Sequence, residues 1–100
     1  MKAVAKPLPK TKFVLYVGDE TSNSRLALAN LTALCRQYLP DRHEIEVVNV
    51  FQQPERALTD QVFMTPILIR VAPNPVRRIV GTLGQTEHII GALGLVELAP

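Results

Sequence analysis

The chain has 100 residues, of which 47% are hydrophobic and 20% charged, and its formal net charge is +2. This length and composition predict one globular domain with an apolar core. The net charge is too small to indicate nucleic-acid binding, and the aromatic residues are not interleaved with basic ones. No apolar run is long enough to cross a bilayer, and the N-terminus lacks a secretory pattern. We therefore expect a cytoplasmic protein without a nucleic-acid or membrane partner.

Residues able to carry out chemistry are few. Cys35 is the only cysteine, which excludes an intrachain disulfide and a CxxC redox pair. With His43 and His88 it shows no metal-ligand spacing, so we expect neither a metal nor a cofactor. The sequence contains no Ser-His-Asp set, no paired carboxylates and no phosphate-binding glycine loop. We predict no catalytic residues and no enzymatic activity.

The first half of the chain predicts a strand, a helix and a second strand. The apolar run at 13–17 is typical of a central strand buried on both faces. Residues 24–38 repeat apolar side chains at helical spacing, after Thr21 or Ser22 as the cap. A strand at 45–50 follows, and it should lie parallel to the first strand after a right-handed crossover.

The second half is less firmly specified. Pro54 opens a short polar helix that reaches about residue 61. Further segments follow in order: a proline turn and strand at 62–71, a rigid turn at 73–75, a hairpin strand at 76–81 and a helix at 86–96. Gly91 and Gly94 lie within that last helix, and each costs about 1 kcal/mol relative to alanine.

The resulting order, βαβαββα, predicts an α/β fold, namely a single thioredoxin-like domain. Thr65-Pro66 precedes the third strand, where that fold places a cis-proline. We expect the domain to span 13–96, between a flexible tail at 1–12 and a C-terminal tail at 97–100.

Four segments of the sequence match the motifs of one family. They read LYVG and TSNS within 15–24, VVNV at 47–50, TPIL at 65–68 and PNPVRRIVG at 73–81. They resemble LYVAG with TPNS, VIDV, ATPTL and PPPVRRIIG of the KaiB family of circadian clock proteins. The resemblance runs from about residue 12 to residue 96. Its last segment is the most specific, because it is not part of general thioredoxin chemistry.

The resemblance implies a non-enzymatic protein that binds a KaiC-like ATPase hexamer and modulates its phosphorylation cycle. It further implies sequestration of KaiA where that protein exists, and displacement of a SasA-type histidine kinase. The family is metamorphic: a homo-oligomeric ground state, a dimer or tetramer, exchanges with a thioredoxin-like monomer that binds KaiC. The resemblance implies that residues 62–96 are the part that refolds.

The same resemblance directs attention to two sets of residues. The candidates for partner binding are Arg25, Glu55, Asp60, Gln61, Arg77 and Arg78. Adjacent arginines in a strand point to opposite faces of the sheet. The candidates for a cis-proline or a fold switch are Pro66, Pro73, Pro75, Gly91 and Gly94.

The chain departs from the family at two places, and these keep alternatives open. The segment at 54–61 has lost acids and carries Arg56, and the segment at 91–95 lacks the family's aspartate. A divergent paralogue, or a KaiB-like sensor module related to the SasA kinase N-terminal domain, is one alternative. A thioredoxin-like oxidoreductase or glutathione-binding enzyme is another, although the missing CxxC counts against it.

Overall fold

Seven secondary-structure elements make up a computed structural model of the chain, which describes residues 10–19 and 21–95. In chain order they are β1 (Thr11–Val17), α1 (Ser22–Tyr38), β2 (His43–Asn49), α2 (Pro54–Thr59), β3 (Ile67–Ala72), β4 (Arg77–Val80) and α3 (Thr86–Leu93). The βαβαββα order and the mixed α/β class confirm the sequence prediction. Most of the expected tails, 1–9 and 97–100, lie outside the described residues.

The four strands form one sheet in the order β2-β1-β3-β4. β1 runs parallel to β2, with Leu15 opposite Val47, as the strand-helix-strand unit predicts. β3 pairs antiparallel with β1 and with β4. β1 and β3 are therefore the central strands, and β2 and β4 are the edges.

Successive side chains of β1 enter two different apolar cores. Phe13 and Leu15 pack on the side of α1 and α3, whereas Val14 and Tyr16 pack on the side of α2. A strand covered by helices on both faces needs an uninterrupted apolar run rather than an alternating one. The prediction of a doubly buried strand at 13–17 is confirmed.

The core between the sheet and helices α1 and α3 is the larger of the two. Its buried members are Phe13, Leu15, Val17, Ala27, Leu31, Leu34, Cys35, Leu39, Leu68, Ile79, Leu83, Ile89 and Leu93. The core under α2 contains only Val14, Tyr16, Val48, Ala57, Ile67 and Ile69. Of the helices α1, α2 and α3, α2 therefore buries the fewest apolar side chains against the sheet.

Helix α1 begins at Ser22, two residues before its predicted start, because Thr21 is the cap. The Thr21 hydroxyl accepts a hydrogen bond from the Ser24 amide at 3.1 Å, which satisfies one of the unpaired donors of the first turn. Cys35 lies on the buried face, as predicted from its helical spacing.

Helix α3 ends at Leu93, so the predicted helix at 86–96 was too long. Gly94 has a left-handed φ of 64°, and the Leu95 amide donates back to the Ile90 carbonyl at 3.0 Å. Together with the bond from Gly94 to Gly91, this is the Schellman arrangement that terminates helices. Gly94 is thus the residue that stops the helix and not a weak point inside it.

The strand boundaries also differ from those expected. β1 starts at Thr11 rather than at residue 13, because Thr11 pairs with His43. β3 starts only at Ile67, after Pro66, so the residues from Val62 onward form a connection. The peptide bonds before Pro66, Pro73 and Pro75 are cis. None of the helices in the described ranges is long and apolar enough to span a membrane.

Candidate partner-binding surface

Helix α2 exposes most of its side chains. It is six residues long, begins with Pro54 in the first turn and buries only Ala57. Proline suits that position because its fixed φ is helical and its missing amide proton would have no partner there. A helix this short is not stable by itself, so its position depends on contacts with the sheet.

The end of α2 is a second Schellman arrangement. Asp60 is the C-cap, and Gln61 follows with a positive φ of 56°. The Gln61 amide donates to the Leu58 carbonyl at 3.1 Å, and the Val62 amide donates to the Ala57 carbonyl at 2.8 Å. The predicted helix to residue 61 was therefore two residues too long, and Asp60 and Gln61 lie in its terminating turn.

Tyr16 joins the centre of the sheet to this turn. The side chain is fully buried, and its hydroxyl donates a hydrogen bond to the Asp60 carboxylate. Burial, together with the neighbouring carboxylate, raises the pKa of Tyr16 to about 12. The phenol therefore stays protonated and remains a donor throughout the neutral range.

An ion pair ties the middle of α2 to the edge strand β2. Arg56 donates to both carboxylate oxygens of Glu46, at 2.5 and 2.9 Å. The hydrogen bond from Arg56 lowers the pKa of Glu46. Because both side chains are solvent-accessible, this pair orients the helix more than it stabilises the fold.

Arg78 holds the end of α2 from the other edge of the sheet. Its two terminal nitrogens donate to the main-chain carbonyls of Asp60 and Gln61, at 2.6 and 2.8 Å. Arg78 stands opposite Ile69 in the β3–β4 ladder, which places it on the same side of the sheet as α2. Polar side chains from three strands thus converge on this six-residue helix.

Large apolar side chains project to solvent from α2 and from the connection that follows. Leu58 is 71% exposed, Phe63 84% and Met64 59%. Together with the exposed Glu55 and Gln61, these residues form what we call the α2 surface. Exposed large apolar groups gathered on one short segment are typical of a protein-binding surface.

The structure brings together only some of the partner-binding candidates. Glu55, Asp60, Gln61 and Arg78 all lie on or against α2. Arg77 stands opposite Arg70 and therefore on the face of the sheet that carries α3. Arg25 lies in the first turn of α1, again across the sheet from α2.

The residues that position the helix, chiefly Tyr16 and Glu46, were not among the residues predicted from the sequence, and neither was the exposed Phe63. One signal was available for Tyr16, because a buried phenol needs a hydrogen-bond partner. Asp60, which follows β2 along the chain, was a candidate for that partner. No pattern in the sequence identifies Glu46 as the partner of Arg56, since ten positions separate them.

The loop after β1, where a redox thioredoxin carries its cysteines, packs at Gly18 against the side chain of Thr65. A side-chain carbon at Gly18 would come within 2.7 Å of the Thr65 hydroxyl. Cys35 lies elsewhere, 1% exposed in the α1 core, and burial raises its pKa to about 11. Across 10–19 and 21–95, no group of three or more His, Cys, Asp or Glu residues is placed to hold a metal ion.

Comparison with solved structures defines the class of fold. The N-terminal domain of SasA from Synechococcus elongatus superposes with a TM-score of 0.72 at 17% identity, covering 93% of this chain and 88% of that chain. Oxidized mitochondrial thioredoxin 3 from Saccharomyces cerevisiae superposes with a TM-score of 0.68 at 16% identity, covering 87% and 80%. The chain is a thioredoxin-like domain, and its single buried cysteine leaves it without a redox pair.

Comparison of sequences identifies the family. The KaiB domain model matches residues 14–94. The circadian clock protein KaiB3 of Synechocystis sp. is 34% identical over 82 residues, covering 82% of this chain and 80% of that protein. The circadian clock oscillator protein KaiB of Cyanothece sp. is 35% identical over 91 residues, with 90% and 87% covered. This chain belongs to the KaiB family.

Proposed function

We propose that this chain is a non-enzymatic clock regulator that binds a KaiC-type ATPase hexamer through the α2 surface and modulates its phosphorylation cycle. The observation that carries the proposal is the exposure of Leu58, Phe63 and Met64, at 71%, 84% and 59%. Such side chains gain most from being covered by another protein. Membership of the KaiB family supports a KaiC-type hexamer as the partner.

The polar residues of the same surface complete the proposed contact. Glu55 and Gln61 are exposed and flank Leu58, so they are suited to the polar rim that surrounds an apolar interface core. Arg25 and Arg77 lie on the opposite side of the sheet. In this proposal they contact a second partner, KaiA, which the bound regulator sequesters where KaiA exists.

A SasA-type histidine kinase is the proposed competitor. The SasA N-terminal domain shares this chain's fold, with a TM-score of 0.72. Two domains of one fold can present a helix at the position of α2 to the same site on a partner. Competition for one site on the hexamer would then release the kinase as this chain binds.

We extend the proposal to the state of the free protein. The free chain is a homo-oligomer, a dimer or tetramer, in which 62–96 take a second arrangement. The fold-switch positions are Pro66, Pro73, Pro75, Gly91 and Gly94. Two slowly exchanging sets of amide NMR signals, with an oligomer mass by ultracentrifugation, are the expected result. One set of signals from a monomer would contradict this part of the proposal.

Thiol chemistry is a poorer candidate function. Thiol-disulfide exchange needs an accessible thiolate, whereas Cys35 is 1% exposed and its pKa is raised to about 11. We therefore expect no insulin reduction and no glutathione transfer by the purified chain.

The proposal is tested by titrating the purified chain into a KaiC hexamer in the presence of ATP and measuring the complex by fluorescence anisotropy. Phe63→Ser should weaken binding at least tenfold, because truncation of a hot-spot side chain at the centre of an interface costs about 2 kcal/mol or more. Leu26→Ser is the matched control, since Leu26 is 49% exposed but lies on α1 across the sheet. Absence of a complex after a day at micromolar concentrations, or equal losses from both variants, would contradict the proposal.

A further inference from the structure

Arg78 was expected to contact a partner, but its guanidinium is already engaged within the chain. Its two terminal nitrogens bind the carbonyls of Asp60 and Gln61 at 2.6 and 2.8 Å. Neither of these carbonyls accepts either of the two hydrogen bonds that close the end of α2. An acidic group on a partner would have to compete with both bonds.

We propose that Arg78 is the positioning residue of the α2 surface: it fixes the turn after α2, from which Phe63 and Met64 project. This inference rests on the proposed function and deepens it. It assigns to the edge strand β4 a role in presenting a surface that β4 does not itself form.

The chemistry of the site requires arginine. Two neighbouring carbonyls face a planar fork whose two terminal nitrogens donate in parallel, and lysine offers one compact ammonium group instead. The positive charge also lies at the C-terminal end of α2, where the helix dipole favours a cation. A lysine should therefore retain the charge effect and lose part of the geometry.

The ladder between β3 and β4 determines which of the two adjacent arginines performs this role. Arg78 stands opposite Ile69, whose side chain is buried under α2, whereas Arg77 stands opposite Arg70 on the other face. Arg77 makes no side-chain hydrogen bond or ion pair with another residue in the described part of the chain. It is consequently a control of equal charge at the neighbouring position.

The variants Arg78→Gln, Arg78→Lys and Arg77→Gln are compared first as free proteins by amide hydrogen exchange. Arg78→Gln should speed exchange at least tenfold at the Gln61 and Val62 amides, because the loss of one charge-assisted hydrogen bond already corresponds to a factor of about ten. Amides of β1 should change much less, which separates loss of position from loss of global stability. Arg78→Lys should lie between wild type and Arg78→Gln, and Arg77→Gln should match wild type.

Affinity for the hexamer is measured on the same variants. Arg78→Gln should weaken binding about tenfold, with partial recovery in Arg78→Lys. Weakened binding with unchanged exchange at Gln61 and Val62 would mean that Arg78 contacts the partner directly, and would overturn the proposal. So would equal exchange effects from Arg77→Gln. If the wild type does not bind the hexamer, the proposed function fails, while the exchange rates still decide the role of Arg78.

Discussion

The hydroxyl of Tyr16 donates to the carboxylate of Asp60, and this bond connects the middle of the central strand β1 to the turn that ends α2. Tyr16 is the polar member of an otherwise apolar core, so its hydroxyl needs a partner. The turn that ends α2 supplies that partner, although the helix itself adds only Ala57 to the core. A hydrogen bond thus helps to hold α2 on the sheet, whereas α1 and α3 are held there mainly by apolar contacts.

The wild-type chain should lose stability at high pH as Tyr16 ionises, and Tyr16→Phe should not show this loss. The pKa of Tyr16 is about 12 in the folded chain against 10.0 in the unfolded chain. Between these pH values the folded state holds the phenol proton more tightly than the unfolded state does. The contribution of Tyr16 to the free energy of unfolding is therefore fully present below pH 10 and is lost as the pH rises toward 12. The slope should approach about 1.4 kcal/mol per pH unit within that window.

The measurement is urea denaturation of wild type and Tyr16→Phe at pH 8, 10 and 11. At pH 8 the variant should be less stable by about 1 kcal/mol, because one hydrogen bond is lost. The difference should shrink as the pH rises. A constant difference across the three pH values would show that the phenol does not titrate as expected.

Two alanine substitutions in and after α3 should have opposite effects. Gly91 lies inside the helix, and a side-chain carbon there meets nothing within 4 Å, so Gly91→Ala should raise stability by about 1 kcal/mol. Gly94 has a φ of 64°, which alanine adopts poorly, so Gly94→Ala should lower stability by about 1 kcal/mol. Thermal denaturation of the two variants checks this. Equal signs would contradict the observed end of α3.

Gln61→Gly should stabilise the chain by about 0.5–1 kcal/mol. Gln61 has a positive φ of 56° at the position after the C-cap where glycine is most favoured. Thr59→Gly, two residues earlier and inside α2, is the control and should destabilise the chain by roughly 0.3 kcal/mol, because threonine is only slightly better than glycine in a helix. Chemical denaturation of both variants distinguishes a backbone effect at Gln61 from a general effect of added glycine.

Cys35 should be unreactive in the native protein. It is 1% exposed, and burial raises its pKa to about 11, so thiolate is scarce and inaccessible at pH 8. Labelling by a colorimetric disulfide reagent should proceed only through opening of the fold and should accelerate in denaturant. The control is Cys35→Ala combined with Leu26→Cys, whose thiol replaces a 49% exposed side chain and should react within minutes. Comparable native rates for the two thiols would refute the buried assignment.

The parts of the fold that depend on short-range patterns were predictable from the sequence. The apolar run at 13–17 and the helical spacing of Leu31, Leu34 and Cys35 gave the central strand and the buried face of α1. The ends of α2 and α3 were not predictable in the same way. Apolar spacing continues past both ends, and the left-handed residues Gln61 and Gly94 stop the helices.

The candidate surface was predictable only in outline. The position of α2 in the sequence followed from Pro54 and the polar residues after it. The hydrogen bonds that hold the helix on the sheet, however, join residues that lie far apart in the chain. Arg78 is 18 residues from Asp60 and reaches a main-chain carbonyl, which carries no residue-specific signal in a sequence. Adjacent arginines could be assigned to opposite faces, but not to particular faces, before the strand pairing was known.

The small apolar contribution of α2 bears on how such proteins diverge. Because α2 buries only Ala57, substitutions at Leu58, Phe63 or Met64 change the exposed α2 surface, through which the partner is proposed to bind, and leave the interior packing intact. Duplicated genes could therefore evolve different specificities by changing these outward positions, provided that the phenol of Tyr16 and the guanidinium of Arg78 are retained. Natural selection would then act on recognition almost independently of foldability.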